Sequence, residues 1–281
     1  MNRKRNLLIG SSLLALIIAC GVGQNAVEEA ADSNAEMAMG DGPMVPMFEV
    51  DPLWPKNLPD HGLMGPTIGV DVDSTDTIWL VHRNTPDQFV ARTEIGLAQD
   101  PPLAECCQPA PPVLAFDQEG NLVHAWGGPG TETGDYVWPG SNHGITIDHM
   151  DNVWIGGNGP ADSHVVKFTQ DGTFLMQIGI PGARQTGEQD GRPVFTRDSM
   201  SMDSYGRVAK IGIDPGANEA YFADGYLNKR IAVVDVDTGE LKRFWGAYGN
   251  EPDDDYDFGG PYQPGEEGKQ QFRGPVHCSE I

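Results

Sequence analysis

Cysteine is scarce, with four in 281 residues, at positions 20, 106, 107 and 278. That is too few for a disulfide scaffold, and the spacing matches no zinc-binding motif. Two pairings stay open in an oxidising compartment: a vicinal Cys106–Cys107 bridge, or a link from that pair to Cys278. Positive charge is scarce as well. Eighteen Lys and Arg face 41 Asp and Glu, a net charge of −23. Such a surface repels phosphate backbones and excludes nucleic acid as a partner, while it attracts cations. Helical periodicity is absent from every long stretch after residue 20, and the one long apolar run, Leu7 to Ala19, is short for a membrane span.

That run belongs to an address. Arg3, Lys4 and Arg5 precede it, as in an export signal. It ends in "IIAC", Ile17 to Cys20, which resembles the bacterial lipobox. The resemblance implies that residues 1–20 are removed and that Cys20 is lipidated as the mature N-terminus. Three basic and no acidic side chains leave with them, taking the charge from −23 to −26. Residues 21–45 are small, acidic and aperiodic, a flexible tether. The chain is thus expected at the bacterial cell envelope, facing the periplasm or exterior, touching the membrane through its anchor only. Residues 46–281 are the folded part.

What is abundant is glycine (36) and proline (22), set between short apolar runs, which reads as all-β. The runs repeat. "GPTIGVDVDSTDTIWLVHR" (65–83), "GSNHGITIDHMDNVWIGGN" (140–158) and "GRVAKIGIDPGANEAYFADGY" (206–226) each hold an apolar strand ending in Asp73, Asp148 or Asp214. A turn follows, then a second strand built on Trp79, Trp154 or Tyr221. A hairpin comes next, with Glu-Gly-Asn, Asp-Gly-Thr or Thr-Gly-Glu at its turn, where glycine supplies positive φ. Four short strands per repeat describe a β-propeller blade. First strands are expected near 68–73, 143–148 and 209–214, with the connections 129–139, 183–205 and 250–271 projecting as loops. "PMFEVDPLWP" (46–55) reads as an outer strand without a blade of its own. "GPVHCSEI" (274–281) reads as the start of a fourth blade. The expectation is a six-bladed ring, of which this chain holds the N-terminal three blades.

First strands line the channel of a propeller. The column before the glycine reads Ile68, His143, Ala209, His277. Histidine in alternate blades of a six-bladed ring would converge on one axial point, an arrangement suited to a metal with an open coordination position. Two solvated channel histidines are the other reading of the same column.

The repeats resemble NHL repeats. "VHR", "NHGITID", "ADGYLNKRIAVVD" and "PVHC" together resemble peptidylamidoglycolate lyase, the lyase half of peptidylglycine α-amidating monooxygenase, and a group of bacterial secreted NHL proteins. The resemblance spans about residues 65–281. It implies a channel zinc on His143 and His277, a structural calcium on the backbone carbonyls of Val70 and Ile145, a catalytic tyrosine at Tyr226 and a substrate-binding arginine at Arg83. The chemistry would be cleavage of a peptidyl α-hydroxyglycine, or a related small carboxylate substrate. The third zinc histidine, an acidic calcium ligand and a second arginine of that family would fall beyond Ile281. Leu227 stands where the family has a cysteine, and Cys106–Cys107 fits the bacterial group instead. Two rivals remain: a non-catalytic propeller binding protein or peptide on its loop face, and a calcium-dependent lactonase-like hydrolase. The histidine pair argues against the second.

Overall fold

The computed structural model describes residues 46–85, 92–261 and 263–277. The signal, Cys20, the tether and Cys278 lie outside the described residues. The chain divides at Asp51 and Pro52 into two units. Of the first, residues 46–51 are described, without secondary structure and exposed.

In the second unit, a 3-10 turn at Pro59–His61 leads to a two-residue strand, β1 (Gly62–Leu63). Blade 1 follows as β2 (Thr67–Val72) and β3 (Ile78–His82), and after an insertion carrying β4 (Gln108–Pro109) it is completed by β5 (Val113–Phe116) and β6 (Leu122–Trp126). Blade 2 is β7 (Asn142–Ile147), β8 (Val153–Gly157), β9 (His164–Phe168) and β10 (Phe174–Gly179). A hairpin, β11 (Gln185–Gln189) and β12 (Arg192–Phe195), leads to blade 3: β13 (Val208–Asp214), β14 (Glu219–Asp224), β15 (Arg230–Asp235) and β16 (Leu241–Trp245). Each blade is a four-stranded antiparallel sheet in sequence order, and β1 pairs with β4 in parallel. The fold is an all-β propeller of four-stranded blades, three of them among the described residues. No helix among these residues is long and apolar enough to cross a membrane.

Apolar faces of successive blades make the core. Trp79, Val81, Val113 and Ala115 of blade 1 pack against Ile145, Ile155, Val166 and Phe168 of blade 2. Trp154 and Val165 of blade 2 meet Val208, Ile211, Phe222, Ala232 and Val234 of blade 3. Inner strands are also tied by polar bonds: Asp71 Oδ2 accepts Ile147 N–H at 2.8 Å, and Thr146 Oγ1 donates to Ile211 O at 2.7 Å. The hairpin glycines Gly120, Gly172 and Gly239 have φ of 80°, 83° and 72°, the left-handed region their turns require.

The repeated Asp and Trp form one device. Trp79 Nε1 donates to Asp73 at 3.0 Å, and Trp154 Nε1 to Asp148 at 2.9 Å, each six residues on. Burial pushes the Asp73 carboxyl up, but bonds from Trp79, Thr75 and Thr77 outweigh it and hold the pKa at about 2. In blade 3 the aromatic residue comes seven positions after the aspartate. Asp214 therefore caps its own turn at Gly216 and Ala217, while Tyr221 bonds to Glu219 at 3.0 Å.

Three expectations need correction. Residues 46–55 form no strand, and Met47, Phe48, Val50 and Leu53 are exposed. Residues 274–277 form none either, although Val276 is buried beside Ala209, Ala223 and Ile231. Apolar alternation makes a segment fit for a strand, but a strand also needs a neighbouring edge, and these segments pair with none among the described residues. The connection 183–205 is not all loop, since it holds the β11–β12 hairpin. Its turn is Asp190-Gly191, both at positive φ, a direct hairpin signal. Of the two open cysteine pairings, the structure has the vicinal one, Cys106–Cys107.

Candidate active site

The channel column is set by irregular pairing. In β7 and β8, Asn142 pairs with Gly157 and Ile145 with Ile155, so one extra residue sits in β7 around His143 and Gly144. The same slip occurs between Thr67 and Gly69 in β2, and between Val208 and Ile211 in β13. Ile68, His143 and Ala209 all fall in these bulges. A bulge frees a residue from the ladder and re-aims its side chain.

His143 is half-buried. Its Nδ1–H donates to Ala209 O at 2.7 Å, which assigns the ring proton to Nδ1 and leaves a lone pair on Nε2. That nitrogen accepts the Tyr226 hydroxyl at 2.9 Å. The two rings stand edge to face, with centroids 4.9 Å apart. His277 completes a triangle, 5.8 Å from His143 and 5.4 Å from Tyr226. Burial lowers the His143 pKa, and electrostatic interaction with His277 and Arg83 lowers it further, against the opposing bond to Ala209. His143 is therefore a neutral base with its lone pair inward.

Arg83, at the end of β3, is part-buried and donates Nη2–H to Asn158 Oδ1 at 3.2 Å. Its buried Nε has no hydrogen-bond partner, and among the described residues it forms no ion pair. Its charge is felt at His143. Arg83 and Tyr226 both follow second strands, and His143 lies near the start of a first strand. Antiparallel pairing places these at the same end of the blades.

Val70 and Ile145 lie elsewhere, on the neighbouring inner strands β2 and β7. The Val70 side chain is 55% exposed and Ile145 fully buried. Among the described residues no three His, Cys, Asp or Glu side chains are grouped to hold a metal. His143 and His277 supply two imidazoles, and the Nδ1–carbonyl bond of His143 is the support a metal-binding histidine usually has. In donor chemistry this pair fits zinc as two nitrogen ligands.

Some participants were missed in the sequence. Asn158 holds Arg83, and its column is that of Arg83: each stands four residues after its tryptophan. Asp162 gathers the N–H groups of Gly140, Ser141 and Gly159 at 2.7, 3.1 and 2.7 Å, fixing the loops on either side of Asn158. His82, by contrast, is a core histidine: its Nδ1 accepts Gly65 N–H and its Nε2 donates to Pro111 O.

No described protein family and no curated protein sequence matches the chain. Among solved structures, 63% of the chain matches a structural-genomics protein of unknown function from Bacteroides thetaiotaomicron (13% identity, TM-score 0.36, 35% of that chain). The Pan2 WD40 domain of Neurospora crassa matches 64% (13%, TM-score 0.33, 38% of that chain). A catalytically inactive virginiamycin B lyase from Staphylococcus aureus, solved with quinupristin, matches 67% (13%, TM-score 0.31, 57% of that chain). This chain thus spans less than two thirds of each. Likeness this slight carries no argument, and the fold rests on the sheets described above.

Proposed function

We propose that Arg83, His143, Tyr226 and His277 form an acid–base site for a small substrate bearing a carboxylate and a hydroxyl, of the kind cleaved by an amidating lyase. The observation that carries the reading is Arg83. Among the described residues of so acidic a chain it has no carboxylate partner, and its charge acts on a neutral histidine that accepts a tyrosine hydroxyl.

Arg83 would clasp the substrate carboxylate through its free N–H groups. As the phenolate, Tyr226 would take the proton from the substrate hydroxyl while the C–N bond breaks, and that proton would pass to the departing amide nitrogen, giving an amide and glyoxylate from a peptidyl α-hydroxyglycine. His143 and His277 are the residues that would hold zinc, which when bound supplies a Lewis acid that acidifies the hydroxyl. The Nε2 lone pair of His143 serves one partner at a time, so holding zinc there would cost the Tyr226 hydroxyl its present acceptor. Calcium at the Val70 and Ile145 carbonyls belongs to the same proposal, as does lipid anchoring at Cys20 in the bacterial envelope. Protein partners have no residue assigned to them.

The test is glyoxylate release from a peptidyl α-hydroxyglycine, with zinc and calcium content read by mass spectrometry. Tyr226→Phe should lower kcat by about a hundredfold or more, while His143→Ala should lose both zinc and activity. A wild-type protein that holds no zinc and releases no glyoxylate would remove this reading and leave the peptide-binding propeller in its place.

A further inference from the structure

Lys229 joins two parts of the site that come from distant stretches of chain. Its Nζ donates to Gly225 O at 3.2 Å and to Gly274 O at 3.1 Å. Gly225 immediately precedes Tyr226, and Gly274 stands three residues before His277. No strand pairing holds residues 274–277. The segment is seated instead by buried Val276, for which Gly225 leaves room: a Cβ on Gly225 would lie 2.4 Å from Val276 N and Cβ. The lysine is anchored at its main chain as well, since Lys229 N–H donates to Ser199 Oγ at 2.9 Å. Ser199, fully buried, bonds in turn to Asp254 through its hydroxyl at 2.6 Å and its N–H at 2.8 Å.

The environment of Lys229 does not favour its charge. Burial lowers its pKa, Arg197 lowers it further and Asp254 opposes both. Among the described residues it forms no ion pair, although carboxylates abound. Its ammonium is committed to two carbonyls instead, one on each side of the gap between Tyr226 and His277.

We propose that Lys229 is a positioning residue, fixing His277 against Tyr226 and His143 by bridging Gly225 and Gly274. This rests on the reading that those three side chains form the site. A charged hydrogen bond contributes enough that its loss should loosen the segment about tenfold.

The experiment compares wild type, Lys229→Met and Lys229→Arg by amide hydrogen exchange and by 15N-histidine NMR, with no metal or substrate added. In Lys229→Met, exchange at Val276 and His277 should rise about tenfold. The His143 Nε2 resonance should move toward that of a nitrogen without a donor, while Ala232 and Val233 in β15 keep their protection. Lys229→Arg should restore both. Unchanged exchange at 276–277 with an unchanged His143 resonance overturns the proposal, as does a uniform loss of protection across blade 3. Because neither readout needs catalysis, a chain inactive on every substrate would sink the catalytic reading and leave the role of Lys229 standing.

Discussion

Arg83 is expensive to keep. Among the described residues the half-buried guanidinium has one bond to an amide and no carboxylate, so it loses hydration without full compensation. Stability alone gives no reason for it, and its removal should do little harm to the fold. Arg83→Met should change urea-derived stability by less than about 1 kcal/mol, yet raise KM for a carboxylate substrate about 10- to 100-fold. Arg83→Lys keeps the charge without the planar fork and should recover only part of that loss. An unchanged KM in Arg83→Met would end the carboxylate-clasp role. In the sequence Arg83 could be picked out but not its lack of a carboxylate partner among the described residues, because no spacing says which of many acidic side chains will approach. Asn158 escaped notice for a related reason: an uncharged amide in a turn carries no mark of what it holds.

At the scale of elements, the Asp–Trp clamp is readable from the repeat, and its failure in blade 3 is readable from one extra residue. The two cases should separate in energy. Asp73 serves Trp79, Thr75 and Thr77, and also takes a bond from Gln170 of blade 2 at 2.7 Å. Asp73→Ala should cost about 2 kcal/mol, because it strands a buried indole N–H. Asp214→Ala, at an exposed turn, should cost about 0.5 kcal/mol. Equal losses in chemical denaturation would show that the indole bond is unimportant. Blade 2 adds a buried ion pair, Asp148–Lys167 at 3.0 Å, with Lys167 also reaching Val236 O of blade 3 at 3.0 Å. Lys167→Met leaves that buried carboxylate without its counter-ion and should cost about 3 kcal/mol, read from the same urea curves. Strand positions and hairpin turns could be read because side-chain alternation and glycine are local signals. The bulges could not, since pairing register is a property of two strands and is written in neither alone.

For the whole molecule, acid should weaken the fold in two stages. Burial is the leading cause of the lowered pKa values of His82, His143 and His164. As pH falls below about 6.5, the usual histidine value, the unfolded chain takes up protons that the folded chain refuses, so stability falls. Asp73, held near 2, keeps its contribution until the pH drops below 3.8. Urea midpoints should therefore decline between pH 7.5 and 5, and again below 4. His143→Gln should flatten the first stage, and a first stage unaltered by that change would mean His143 is not held neutral. Relief of repulsion among the 41 acidic side chains works in the other direction only at lower pH, where carboxylates begin to titrate.

The bulge in each inner strand has a consequence for how such a protein can change. A residue that the ladder does not use can be exchanged without unpicking the hydrogen bonds around it. Ile68, His143 and Ala209 occupy one such place in three successive blades, and only one of them bears a group that can bind or titrate. The scaffold thus offers interchangeable sockets around an axis. What is plugged into them can be altered while the blades remain as they are, so related chains can share every strand of this fold and perform different chemistry in its channel.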